Sequence, residues 1–251
     1  MRERMIDITT RDGVMNTCVL QPDGEGPYPV IIFYMDAPGL REELCDMCRR
    51  IASVGYFVLL PNMFYRTTRV FDFDPTRVGD PAYADKVEAM WTNVRSLSPS
   101  LVAEDTRALL DFVSGETTAG RGKVGVVGHC MSGRYAFAMA GRFPDRVGAA
   151  ASFYGGRFIV PEDPDSPHLA ATKIESELYF GFAEHDEFAP RDMVAALRNF
   201  LDANGIKANI ELYGQAHHGF AFPGRRAYDK ASAERHWERL FDMWRRNLSS
   251  G

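Results

Sequence analysis

Gly128-His129-Cys130-Met131-Ser132-Gly133 lies between an apolar run, 124–127, and a helical pattern that begins at Gly133. A strand-turn-helix of this kind holds its central residue in strained backbone geometry, so the surrounding positions must be small. The pattern is that of a nucleophile elbow, with cysteine where serine is usual. Free N–H groups and the helix dipole at a helix N-terminus favour the thiolate, the form of cysteine that attacks carbonyl carbons. A buried cysteine on an ordinary strand-loop-helix connection is the alternative.

Apolar and amphipathic segments alternate on both sides of this stretch. Two short segments, 6–9 and 16–20, flank a turn at Asp12-Gly13 and predict an antiparallel hairpin at a sheet edge. Nearly continuous apolar runs, typical of strands covered on both faces, predict six more strands at 30–35, 56–60, 123–127, 148–153, 178–182 and 208–213. Six helices are predicted at 40–54, 84–97, 101–113, 133–143, 191–204 and 227–248. We therefore expect an α/β fold with a mostly parallel central sheet and helices on both faces.

Length and composition set limits on domain number and partners. No linker or internal repeat divides the 251 residues, so we expect one domain, 1–251. A net charge of -5 and the lack of a Lys/Arg block argue against a nucleic-acid partner. Since no apolar run approaches bilayer length and no signal core follows Met1–Arg4, we expect a cytoplasmic protein that does not bind membranes. The sequence leaves open whether it is a monomer or a homodimer.

The chain has four cysteines, too few and too irregularly placed for a disulfide framework. Cys45 and Cys48 match C-x-x-C, but they lie at helical spacing within the predicted helix 40–54. No second C-x-x-C and no histidine pair completes a zinc site. We therefore interpret this pair as structural and expect neither a metal nor a cofactor.

A catalytic thiol needs a base for its proton and a third group to orient that base. Asp186 stands in a polar loop after the predicted strand 178–182, and His217-His218 follow the strand 208–213. Nucleophile, acid and histidine in this order, each after its own strand, are typical of the α/β-hydrolase fold. On this pattern alone, either His217 or His218 could be the base. We interpret the nearby His129 and His185 as structural residues.

The longest irregular stretch, 61–81, leaves the carboxyl end of a predicted parallel strand. Long loops at this edge build pocket walls, so we predict a substrate-facing flap. Its candidate substrate-binding residues are Tyr65, Arg66 and Arg69. Alternatively, the aromatic residues of the loop pack it onto the body of the domain.

The chain resembles the dienelactone hydrolase family of α/β-hydrolases from about residue 30 to residue 220. The elbow 128–133 resembles the family's G-x-C-x-G-G, with Ser132 in place of a glycine. The segment 181–190 is similar to its G-x-x-D-x-x-x-P, which supports Asp186. The segment 216–220 is similar to its A-x-H-x-F, which selects His218 over His217.

This resemblance also implies roles for the turn 35–39, which occupies the place of a turn that contains glutamate in the family. By the resemblance, the backbone N–H groups of Ala37 and Met131 form the oxyanion hole. Asp36 would contact the resting thiol of Cys130, although its side chain is one methylene shorter than the family's glutamate.

A second departure from the family is at Phe222, where by count the family has an arginine that binds a substrate carboxylate. An apolar side chain cannot pair with an anion, so we expect neutral esters or lactones to be preferred and Phe222 to contact the substrate. Alternatively, Arg225, Arg226, Arg66 or Arg69 supplies the missing clamp.

The sequence thus predicts a cysteine-dependent hydrolase of a small carboxylic ester or lactone. Cys130 would attack the carbonyl carbon, His218 would move the proton, and Asp186 would orient His218. Two alternatives from other classes are a noncatalytic binding protein with the α/β-hydrolase fold and a redox sensor that uses Cys130 as a peroxide-reactive thiol.

Overall fold

Eight strands form the central sheet of the protein, whose computed structural model describes residues 1–249. In chain order the strands are β1 (Arg2–Thr10), β2 (Gly13–Gln21), β3 (Val30–Tyr34), β4 (Phe57–Pro61), β5 (Val124–His129), β6 (Val147–Phe153), β7 (Glu177–His185) and β8 (Ala208–His217). Their spatial order is β1-β2-β4-β3-β5-β6-β7-β8. β1 pairs with β2, and β2 with β4, in antiparallel register, whereas all the other pairs are parallel. The predicted edge hairpin and mostly parallel sheet are therefore present.

Six α-helices connect the strands: α1 (Glu42–Ser53), α2 (Ala84–Arg95), α3 (Pro99–Gly115), α4 (Gly133–Arg142), α5 (Arg191–Ala203) and α6 (Lys230–Asn247). Adjacent residues of β7 show how helices cover the sheet. Phe180 packs against Phe137 of α4, whereas Tyr179 hydrogen-bonds Glu211, which pairs with Arg239 of α6. Because successive side chains of a strand point to opposite faces, α4 and α6 lie on opposite faces of the sheet. This architecture is the predicted α/β-hydrolase fold.

The four central strands explain why the apolar runs in the sequence are continuous rather than alternating. Every residue of β3, β4, β5 and β6 is buried. Their side chains join one large apolar cluster that includes residues from all eight strands. Strands covered on both faces require apolar residues at every position.

β7 and β8 extend beyond the predicted strands, to His185 and His217. The added ends contain the polar residues Glu184, His185, Gln215 and His217, so the apolar pattern did not extend to them. The extension is irregular but hydrogen-bonded, since the Gln215 N–H donates to the Glu184 carboxylate at 2.8 Å. This extension places the loops that follow β7 and β8 at the edge of the sheet where β5 ends.

Among residues 1–249, none of the helices combines the length and the apolar character needed to cross a bilayer.

Candidate active site

The turn between β5 and α4 has the strained geometry that the sequence predicts. Cys130 has a φ of +55°, a left-handed conformation that is uncommon for residues other than glycine. A Cβ atom on Gly128 would lie 2.2 Å from the carbonyl oxygen of Ser132, and one on Gly133 would lie 2.2 Å from Oγ of Ser152. Both positions therefore exclude any residue larger than glycine.

Ser132, which stands where the resembling family has a glycine, ties the elbow to the neighbouring strand. Its hydroxyl accepts a hydrogen bond from the His129 N–H at 2.9 Å. It donates either to the carbonyl oxygen of Tyr34 in β3, at 3.1 Å, or to that of His129, at 3.0 Å. The Ser132 hydroxyl therefore supplies hydrogen bonds to backbone groups, which a glycine at this position could not supply.

Asp186 and His218 meet at the carboxyl edge of the sheet, beside the elbow. Nδ1–H of His218 donates to Oδ2 of Asp186 at 2.8 Å, and the Asp186 side chain is fully buried. Oδ1 of Asp186 accepts the Phe188 N–H at 2.9 Å, which fixes the carboxylate. His217 is exposed and its ring lies against that of His185, with ring centroids 4.9 Å apart and the ring planes tilted by 34°. The structure therefore brings His218, and not His217, together with Asp186.

The electrostatics of His218 link it to the elbow cysteine. Burial alone would lower the pKa of His218, but hydrogen bonds with Asp186 and Cys130 and the charges of both raise that pKa to about 10. The imidazolium form is therefore favoured at neutral pH beside the sulfur of Cys130.

Asp36 lies at the end of β3, but its carboxylate is engaged by arginines. It is fully buried and pairs with Arg41 and, at 3.0 Å, with Arg225. Burial raises the pKa of Asp36, but Arg41 and Arg225 outweigh it and hold that pKa below its usual range. Among the described residues, the hydrogen bonds of this carboxylate go to these two arginines. No hydrogen bond joins this carboxylate to the Cys130 sulfur within residues 1–249, so the contact that the resemblance implies stays a prediction.

Two adjoining cavities open onto Cys130 and His218. The larger, of about 540 Å³, is mainly apolar, with Trp91, Met131 and Phe188 among its walls. The smaller, of about 140 Å³, is also lined by Ala37, Asp36, Phe73, Phe222 and Arg225. Tyr154 lines both. Ala37 thus lines the smaller cavity and Met131 the larger one, each together with Cys130, and Phe222 and Arg225 stand at the smaller cavity.

The three candidates in the loop 61–81 lie elsewhere. Tyr65 donates its hydroxyl hydrogen to Asp105 of α3 at 2.8 Å, and Arg66 pairs with the same carboxylate at 2.7 Å. Arg69 pairs with Asp7 of β1 at 2.8 Å. None of the three lines either cavity. The cavities therefore give no support to the prediction that they face the substrate, because acidic residues of the edge hairpin and α3 engage this half of the loop.

Two arginines that the sequence analysis did not single out line the larger cavity. Arg134 and Arg157 have no ion-pair partner within the described part of the chain, and the buried Nε of Arg134 lacks a hydrogen-bond acceptor there. Arg134 lies four residues after Cys130, so helical spacing could have placed it on the same face. Arg157 lies in an irregular segment, and no sequence pattern there predicted a role in the site.

A possible metal-ligand group lies apart from these cavities. Glu3, Cys18 and Cys45 bring three ligand atoms within 4.8 Å of one another, on β1, β2 and α1. Both carboxylate oxygens of Glu3 are already paired with Arg49. Cys48 is fully buried in the same helix as Cys45, consistent with packing of α1 onto the sheet.

Comparisons with known proteins show the family to which this chain belongs. The model of the dienelactone hydrolase family matches residues 15–248. Relatives provisionally named carboxymethylenebutenolidases include one from Methylorubrum extorquens, 26% identical over 96% of this chain and 79% of its own length. Another, from Escherichia coli K12, is 29% identical over 88% of this chain and 78% of its own length. A crystal structure from Klebsiella pneumoniae, provisionally named a dienelactone hydrolase, has a TM-score of 0.83 at 22% identity and covers 97% of this chain and 98% of its own. The chain therefore belongs to the dienelactone hydrolase family and is a hydrolase.

Proposed function

We propose that the protein hydrolyses a small carboxylic ester or lactone through a Cys130–His218–Asp186 triad and an acyl-enzyme intermediate. The observation that carries this proposal is the buried Asp186–His218 hydrogen bond of 2.8 Å beside a cysteine in strained elbow geometry. The cavities that open at this point supply room for a small molecule.

In the first step, the Cys130 thiolate attacks the carbonyl carbon, and the carbonyl oxygen takes up the negative charge. The backbone N–H groups of Ala37 and Met131 donate to this oxygen, a kind of stabilisation typically worth about 3 kcal/mol for one donor. As the tetrahedral intermediate collapses, the carbon–oxygen bond to the leaving group breaks. The His218 imidazolium gives its proton to that oxygen, and a thioester on Cys130 remains.

In the second step, neutral His218 takes a proton from water while the water oxygen attacks the thioester carbon. Collapse of the second intermediate breaks the carbon–sulfur bond and releases the carboxylic acid. Cys130 leaves as the thiolate, which restores the ion pair with protonated His218. Asp186 keeps the imidazole oriented through both steps because its carboxylate holds Nδ1–H.

The charges around the two cavities support a preference for substrates whose acyl part is neutral. In the smaller cavity, Phe222 is apolar and the guanidinium of Arg225 is paired with Asp36. A carboxylate buried there would lack a free cation, which costs several kcal/mol. The acyl part is therefore neutral.

The larger cavity differs, because Arg134 and Arg157 outnumber its one lining carboxylate, Asp163, and have no ion-pair partner within residues 1–249. Negative charge is therefore accepted on the leaving part of the substrate. Two esters of simple alcohols test this preference. One carries a carboxylate on the alcohol part and the other carries a carboxylate on the acyl part, and each is compared with its neutral analogue. We expect the acyl-side carboxylate to lower kcat/KM by at least tenfold, as a loss of about 1.4 kcal/mol implies, and the alcohol-side one to lower it much less. The reverse ranking would contradict this assignment.

The hydrolase activity itself is tested with a chromogenic short-chain ester. We expect Cys130→Ala to abolish turnover without unfolding the protein, while Cys45→Ala, a change at another cysteine, retains it. Turnover by Cys130→Ala at the wild-type rate would refute the triad. If the wild-type protein hydrolyses no ester but peroxide oxidises Cys130, the redox sensor is favoured instead.

A further inference from the structure

Tyr154, the residue that follows β6, is held in an unfavourable backbone conformation. Its φ is +39°, in a region where a bulky side chain is a genuine outlier. The Tyr154 N–H donates to the Gly181 carbonyl oxygen of β7 at 2.7 Å, and the side chain is 1% exposed. The surrounding sheet therefore fixes a conformation that costs of order 1–3 kcal/mol.

The hydroxyl of Tyr154 is buried and has no hydrogen-bond partner among the described residues. Leaving such a group unpaired costs about 1–3 kcal/mol. Other buried tyrosines of the protein avoid this cost. The Tyr34 hydroxyl bonds Thr106 at 2.7 Å, and the Tyr213 hydroxyl bonds Tyr179 at 2.7 Å. Strain and an unpaired polar group thus coincide at one residue.

This residue lies against the catalytic groups. The Tyr154 ring meets that of His218 edge-on, with centroids 5.1 Å apart, and Tyr154 lines both cavities. In the smaller cavity it shares the walls with Cys130 and Ala37, one of the two expected oxyanion donors.

The charged groups around the hydroxyl decide what it can do. Burial, followed by the nearby negative charges of Asp36 and Cys130, raises the pKa of Tyr154 well above its usual range, against the opposing effect of Arg225 and Arg41. The hydroxyl therefore stays protonated throughout the accessible pH range and can donate a hydrogen bond.

We propose that the Tyr154 hydroxyl is a third donor to the carbonyl oxygen of the bound ester, beside the N–H groups of Ala37 and Met131, and is thus a catalytic residue. This inference rests on the proposed ester hydrolysis. The donor has no partner until a substrate is bound, and its hydrogen bond strengthens as negative charge develops on the oxygen. An interaction that is stronger in the transition state than in the ground state raises kcat.

The test compares Tyr154→Phe with Tyr34→Phe, which removes a buried hydroxyl that does have a partner. We expect Tyr154→Phe to lower kcat by about tenfold to hundredfold with little change in KM. Its thermal unfolding midpoint should stay equal or rise, because an unpaired buried polar group is removed. Tyr34→Phe should lower the midpoint and keep kcat within about threefold.

A trifluoromethyl ketone analogue of the ester provides a second readout, since its adduct with Cys130 carries an oxyanion. Tyr154→Phe should weaken its inhibition by the same tenfold to hundredfold. The inference is wrong if Tyr154→Phe leaves both kcat and inhibition within twofold of wild type, or lowers the unfolding midpoint as Tyr34→Phe does with no loss of kcat. A wild-type protein that hydrolyses no ester would overturn the proposed function as well, so the two failures are distinguishable.

Discussion

The elbow 128–133 and the loop 61–81 both stand at the carboxyl edge of the sheet, but different forces determine their structures. In the elbow, backbone atoms only four or five residues away leave no room for a Cβ on Gly128. In the loop, Arg66 and Arg69 are placed by Asp105 and Asp7, which are distant in sequence. The comparison teaches that short-range steric requirements are readable from a sequence, whereas long-range ion pairs depend on the tertiary fold.

The largest expected effect tests the short-range side of this comparison at the two adjacent histidines. His218→Ala should lower kcat by about 10²–10⁴, because it removes the group that moves the proton. His217→Ala is the matched control and should keep kcat within about threefold, since His217 is exposed and contacts His185 instead. Steady-state kinetics of both variants decide the assignment. A larger loss in His217→Ala would transfer the role to that residue.

The next effect concerns the pH dependence of turnover. His218 must be protonated to donate to the leaving group, so the rate should fall as pH rises through its raised pKa of about 10. Asp186 is one of the groups that raise this pKa, so Asp186→Asn should move the alkaline fall to lower pH and reduce kcat by about 10²–10⁴. Glu187→Gln, at the exposed neighbouring position, is the control. An unchanged alkaline limb in Asp186→Asn would show that Asp186 does not act on His218.

The same shift in pKa affects stability. A pKa raised above the usual value near 6.5 means that the folded state binds the proton more tightly than the unfolded state. The resulting stabilisation is fully present below about pH 6.5 and is lost as pH rises through about 10. The difference in unfolding free energy between wild type and Asp186→Asn should therefore shrink as pH rises from about 6.5 to about 10 and stay constant above that.

We expect the smallest effect on turnover from substitutions in the loop 61–81. The two halves of this loop have different surroundings. Arg66→Gln breaks ion pairs with Asp105 and Asp12, so it should cost on the order of 2 kcal/mol of stability and leave kcat/KM within twofold. Phe73→Ala, in the half that lines the smaller cavity, should lower kcat/KM for a short-chain ester. Chemical denaturation and steady-state kinetics measure the two effects. A loss of kcat/KM in Arg66→Gln equal to that in Phe73→Ala would restore a substrate-facing role to the whole loop.

The sequence predicted the fold well because nearly every residue of the central strands is apolar, as burial on both faces requires. The spatial meeting of Asp186 and His218 followed from their positions after neighbouring parallel strands. Order along the chain alone did not separate His217 from His218. Only the local backbone after β8 determines which ring turns toward Asp186.

The residues that the sequence missed depend on contacts made after folding. A pattern of apolar residues does not predict the unpaired hydroxyl and the positive φ of Tyr154. The pairing of Asp36 with Arg225 joins two residues that are 189 positions apart in the sequence. Sequence spacing gives no access to such distant pairs.

The most direct test of the triad is to trap the acyl-enzyme. A p-nitrophenyl ester has a good leaving group, so acylation should outpace hydrolysis of the thioester, and rapid acid quenching should preserve the intermediate. Mass spectrometry of the quenched wild-type protein should find the mass of the acyl group on the peptide that contains Cys130, with no such adduct in Cys130→Ala. An adduct on Cys18, Cys45 or Cys48, or wild-type turnover with no adduct on Cys130, would contradict the account.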